Sequence, residues 1–146
     1  MMLSSHFSLE ELTRSDVALR KGLDNTPDAE TIANLTELAN GLEKVRELCR
    51  HAIHISSGYR SLKVNSAIGS KPTSAHVKGF AADFTCPDFG SVSDVCHAIM
   101  DSTIDYDQLI REFDTDNTGW VHISFDPQMR RMNLTIDNSG TRQGIA

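Results

Sequence analysis

Two histidines and an aspartate are the residues of this 146-residue chain whose types and spacing could do chemistry. His76 and Asp83 stand in Ser74-Ala-His-Val-Lys-Gly-Phe-Ala-Ala-Asp83, a S-x-H-x-x-G-x-A-x-D pattern, and His122 stands in Trp120-Val-His-Ile-Ser124. Two neutral imidazoles and one carboxylate are a borderline donor set suited to zinc, and three protein ligands leave a fourth position open for water. Sites left open in that way are usually catalytic. Taken singly, each residue reads as an ordinary polar side chain, so the local pattern has to decide. Alternation over Phe80–Thr85 puts Ala81, Asp83 and Thr85 on one side of a short strand, with Ala82, Phe84 and Cys86 on the other. The small neighbours leave room beside the carboxylate. In Trp120–Phe125 the same period gives Val121, Ile123 and Phe125 one apolar face. His122 then shares the opposite face with Trp120 and Ser124, which makes it a better ligand candidate than a core histidine.

The elements that must position these residues follow from caps and periods. Ser8 and Glu11 form a capping box for a short helix to about Arg14. Residues 15–26, with Gly22, Asp24 and Asn25, read as a loop. Thr26 as cap and Pro27 in the first turn open a long helix. Its apolar stripe is Ile32, Leu35, Leu38, Ala39, Leu42, Val45 and Cys49. Ala52–Ser57 reads as the first core strand, with Ile53 and Ile55 inward. His51 and His54 imitate a metal-binding H-x-x-H, but residues three apart on a strand point to opposite faces. Arg60 falls where that strand ends beside a turn, a usual place for a functional side chain. Ser61 caps a short helix to Ile68, closed by Gly69. Ser70–Thr73 is a loop delivering His76, and Ser74 with Gly79 marks a tight fold of the chain. A second capping box, Ser91 with Asp94, starts a helix to about Ser102 that buries Val95, Ala98 and Ile99, leaving His97 at the surface. Tyr106–Phe113 reads as a strand, residues 114–119 as a turn, and Trp120–Phe125 as the antiparallel return. One more edge strand is expected near Met132–Ile136. Helices in front of a hairpin-rich sheet give an α+β fold, in a single domain over residues 1–146.

Composition narrows the function classes. A net charge of −6 gives no electrostatic case for nucleic acid or an anionic membrane. No apolar run approaches the roughly 20 residues that span a bilayer, so no membrane insertion is expected. Met-Met-Leu-Ser-Ser-His lacks the basic and apolar segments of a secretory signal, and a cytoplasmic product is expected. Cys49, Cys86 and Cys96 are an odd number without a Cys-x-x-Cys pair, as expected of reduced thiols. Cys86 lies three residues after Asp83 but on the other strand face, where core packing is the better reading. No obligate protein partner is evident.

The S-x-H-x-x-G-x-A-x-D and W-x-H-x-S segments resemble the zinc D-Ala-D-Ala carboxypeptidase family and its L-Ala-D-Glu endopeptidase relatives. The wider group includes lysostaphin-type enzymes, vancomycin-resistance dipeptidases and the hedgehog signalling domain. Ser57-Gly-Tyr-Arg-Ser61 with Asn65, Leu23-Asp-Asn-Thr-Pro27 and Phe7-Ser-Leu-Glu-Glu-Leu12 are similar too, in the family's order from about residue 7 to 125. The resemblance implies a small antiparallel sheet with the zinc site on one face and helices packed on the other. It also implies zinc on His76, Asp83 and His122, with Arg60 holding a substrate carbonyl or carboxylate, and Tyr59 and Ser74 beside it as substrate-binding residues. Many relatives place a base three or two residues before the last histidine, where this chain has Gly119 and Trp120. In the hedgehog-like arrangement a glutamate ends the preceding strand, and Glu112 occupies that place; Asp114 and Asp116 are the nearby alternatives. The implied substrate is a peptidoglycan stem peptide. It would be reached after holin-type release, as by a phage endolysin, or from within a phage particle. The competing class is a non-catalytic zinc-binding module of a phage assembly or interaction protein.

Overall fold

The apolar stripe of the long helix fixes the architecture. In the computed structural model, which describes residues 1–115 and 118–146, Leu35, Leu38, Leu42 and Val45 of that helix are fully buried. The helices are α1 (Leu9–Thr13), α2 (Asp16–Lys21), α3 (Ala29–Cys49), α4 (Leu62–Ala67) and α5 (Val92–Met100). The strands are β1 (His54–Ser57), β2 (Ala81–Thr85), β3 (Gln108–Glu112), β4 (Trp120–Ser124), β5 (Met132–Asp137) and β6 (Gly140–Gln143). The strands form one sheet in the order β1-β2-β4-β3-β5-β6. Ala82, Phe84, Leu109, Val121 and Ile123 project from one face into a core shared with Leu12, the α3 stripe, Val95 and Ile99. Among the described residues no helix is long and apolar enough to cross a membrane.

Several boundaries differ from the sequence reading, each for a local reason. Residues 15–26 contain α2: the Ser15 side chain accepts from Ala18 N–H, and Gly22 ends the helix in the left-handed region. α3 starts two residues later than expected, because Asp28 rather than Thr26 accepts from the Thr31 N–H. In α5 the third buried residue is Cys96, and Ala98 is only partly covered. The strand expected near Met132–Ile136 is not an edge. It pairs parallel with β3, which makes the sheet mixed, and β6 forms the edge beyond it.

β4 carries the chain back along the sheet, so the connection to the parallel strand β5 crosses the end of β3, and an ion pair on a buried carboxylate holds that connection in place. Asp107 is 2% exposed. Its Oδ1 accepts from Arg130 Nε at 2.8 Å and its Oδ2 from Nη2 at 2.9 Å, while Arg130 N–H also donates to Oδ1 at 3.1 Å. These bonds hold the Asp107 carboxyl below its ordinary value. A carboxyl depressed by folding stabilises the protein above its unfolded-state pKa, near ~3.9, and loses that effect as pH falls through the folded value. Asp107→Asn is therefore expected to lower Tm at pH 7, with the gap to wild type narrowing as pH falls below about 4. Melting curves across that range check it. A gap independent of pH would show that the charge contributes nothing.

Candidate metal centre

The two strand-borne residues meet because their strands are neighbours. Asp83 on β2 and His122 on β4 are register partners, so their side chains leave the sheet on one face, opposite the core. Ile110 is the β3 partner of His122, and Glu112 that of Trp120, which puts Glu112 on the same face, one pleat along. Phe113 then turns the chain with φ +50 and lies against the Trp120 ring, with centroids 5.6 Å apart. A register shift in β1 between Ile55 and Ser57 brings Ser57 opposite Asp83. Simple alternation would have left Ser57 on the side of Ile55. Bulges of this kind are common next to active sites because they re-aim a side chain.

His76 arrives from outside the sheet. The loop expected to deliver it contains a single 3-10 turn, Ala75–Lys78, capped by Ser74, whose Oγ accepts from His76 N–H at 3.3 Å. Gly79 ends the turn at φ +81, and a Cβ there would press on Thr31 and Leu35 of α3. A side chain at that position would meet both strain and crowding. Gly58 is held as closely, with the Leu12 carbonyl occupying the place of its Cβ. The Gly58 carbonyl in turn lies 2.7 Å from His76 Nδ1.

That bond decides which nitrogen is available. A carbonyl only accepts, so Nδ1 carries the proton, and the Nε2 lone pair of the neutral ring faces Asp83 Oδ1 at 3.2 Å. His122 Nδ1 faces the same oxygen at 3.0 Å. A lone pair pointed at a carboxylate needs a proton or a cation between them. His76, Asp83 and His122 are 2%, 8% and 6% exposed, and one donor atom from each falls within 4.8 Å of the others. This donor set fits a divalent cation of the zinc type. Burial would raise the Asp83 carboxyl, but the two imidazoles, when a proton sits on the nitrogens that face it, outweigh burial and hold the group well below the ordinary range.

Glu112 Oε1 is 3.7 Å from His122 Nδ1. Burial first, and then the neighbouring Asp83 charge, raise its carboxyl above the ordinary value. The Trp120 indole N–H lies near that carboxylate without an aligned hydrogen bond and has no other partner among the described residues. Alternation had placed Trp120 on this face, but its unused donor is visible only in three dimensions. Arg60 is half-buried, and its pKa is lowered by burial and supported by Asp83 and Glu112. Its Nη2 donates to Ser74 Oγ at 3.4 Å. Ser74 is thus both a cap and a neighbour of Arg60. Tyr59 belongs instead to the hydrophobic core, and no hydrogen bond ties its ring to the histidines. Asp114 is paired with Arg111 at 2.7 Å, and Asp116 lies outside the described residues. His51 and His54 are exposed and apart from the group. Cys86 is buried on the core face, where its Sγ donates to the Ala52 carbonyl. All three cysteines are free and buried, and burial pushes the Cys49 and Cys96 thiols up to about 12.

Two buried imidazoles around one carboxylate, with a second carboxylate of raised pKa beside them, form a group that could hold a metal ion on the sheet of an α+β fold. The family model Peptidase M15 matches residues 5–124, and the chain belongs to that family of metallopeptidases. No curated protein matches the chain.

Proposed function

We propose that the protein is a zinc-dependent peptidase acting on peptidoglycan stem peptides, of the D-Ala-D-Ala carboxypeptidase or endopeptidase type. The observation that carries this reading is the convergence of His76 Nε2, His122 Nδ1 and Asp83 Oδ1 beside Glu112. Zinc held by these three residues would supply a Lewis acid that polarises the amide carbonyl and acidifies a water. Gly58 fixes the ring orientation of His76, as a carbonyl partner commonly does for a ligating histidine. Glu112 takes the proton from the attacking water and passes it to the leaving amine; its carboxyl, raised by burial and by the Asp83 charge, makes it a stronger base than an ordinary carboxylate. Arg60 holds a carboxylate or the developing oxyanion with a planar fork that stays charged at any working pH.

Digestion of purified peptidoglycan, with mass spectrometry of the products, tests the reading. Stem-peptide fragments are expected, and they should disappear on treatment with a chelator and return with zinc. Firm zinc binding without cleavage of any fragment would transfer the reading to a metal-holding module without catalysis.

A further inference from the structure

We propose that a cationic groove beside the metal centre is a second carboxylate subsite, selecting peptides with an acidic group on the Arg60 side of the scissile bond. It rests on the peptidase reading and adds to it the charge of the substrate. The groove is a cavity of about 340 Å³ whose lining includes Arg14, Asp16, Arg20, Ser57 and Arg60. In a chain of net charge −6, three arginines against one aspartate make a local reversal of sign.

Arg14 and Arg20 are exposed, and among the described residues neither forms an ion pair within 4 Å. Asp16 in the lining and Glu11, which feels the Arg14 charge, are the acidic groups at hand. Both guanidinium groups are thus free to take a ligand. Arg60 joins the groove to the reaction centre. One of its nitrogens touches Ser74, its charge is felt by Glu112, and its Nε is buried without an acceptor among the described residues. A buried donor left unpaired is costly, and the protein offers nothing to satisfy it. A carboxylate entering from the groove would, because its two oxygens match the guanidinium fork. Ser57 belongs to the lining and is the register partner of Asp83, which sets the groove against the strand beside the one that carries the Asp83 carboxylate. Val17, Val64 and Ile68 give the lining apolar contact open to any side chain, so the arginines are what would discriminate by charge.

The test uses two stem peptides, L-Ala-γ-D-Glu-L-Lys-D-Ala-D-Ala and its counterpart with the D-Glu α-carboxylate amidated. Their shapes are nearly the same and their charges differ by one. Affinities are measured by calorimetry on the zinc-loaded Glu112→Gln protein, so that binding is read without cleavage. At about tenfold for each charge-assisted contact, the acidic peptide is expected to bind roughly 10²-fold more tightly. In Arg14→Ala/Arg20→Ala on that background the ratio should fall about tenfold, to what the Arg60 contact alone supplies, with zinc content unchanged. Arg14→Lys/Arg20→Lys should restore part of it. Equal affinities for the two peptides, no binding of either, or a ratio unchanged by loss of both arginines would each overturn the subsite. If wild type cleaves neither peptide while the acidic one still binds selectively through the arginines, the groove stands and the peptidase reading falls.

Discussion

Glu112→Gln is expected to remove most of the hydrolytic rate, by about 10²–10⁴-fold, with zinc still bound. Glutamine keeps the shape of the side chain and an acceptor oxygen, but it cannot take a proton from the attacking water. Among the described residues Glu112 is the one carboxylate besides Asp83 within 4 Å of His76 or His122: 3.7 Å from His122, mostly buried, and raised in pKa by that burial and by Asp83. Asp114, the alternative in the turn, is already paired with Arg111, so Asp114→Asn should cost far less. Single-turnover assays on a stem peptide, with metal content measured in the same samples, separate loss of the base from loss of the ion. Retention of more than about a tenth of wild-type turnover in Glu112→Gln would place the base elsewhere, since a positioned base is worth at least ~10²-fold.

The face on which each candidate sits was legible because strand alternation is a short-range rule. It needs only the strand itself, and it separated Asp83 from Phe84 and His122 from Val121 correctly. The same holds for the caps at Ser8, Ser61 and Ser91, where a hydroxyl and an N–H three residues on are local partners. The failures have other causes. α2 has only six residues, too few to show an apolar period, although Ser15 before it and Gly22 after it were signals of a start and a stop. Missing it hid Arg20 and with it the groove. The parallel pairing of β5 with β3 is a topological fact that no local pattern encodes. Tyr59 was carried along with Arg60 from one motif, yet adjacent residues at a strand end face different surroundings. The arginine donates to Ser74 and feels the charges of Asp83 and Glu112, and the tyrosine packs in the core cluster. The convergence of His76 with the strand pair depends on two close backbone approaches, Gly58 against Leu12 and Gly79 against α3. In the sequence these appear only as glycines.

Asp83→Asn should empty the site. Loss of a partner that merely orients a ligand typically costs 10–100-fold in metal affinity, and loss of a ligand itself should cost at least about 10²-fold. Dialysed wild type is expected to hold about one zinc per chain, as a single three-ligand site requires, and the variant close to none. The fold should survive, because β2 keeps its backbone ladder and the core side chains Ala82 and Phe84 are untouched. The metal-free proteins add a second readout. The Asp83 carboxyl is lowered in the folded state, so its charge stabilises the protein above the unfolded-state value near ~3.9. The Glu112 carboxyl is raised, so its charge opposes folding above its own unfolded-state value near ~4.3. At pH 7, after chelation, Asp83→Asn should therefore melt below wild type and Glu112→Gln above it. Shifts in the same direction would mean that the two carboxylates do not stand in opposed environments. Full zinc occupancy in Asp83→Asn would show that the ion is held elsewhere.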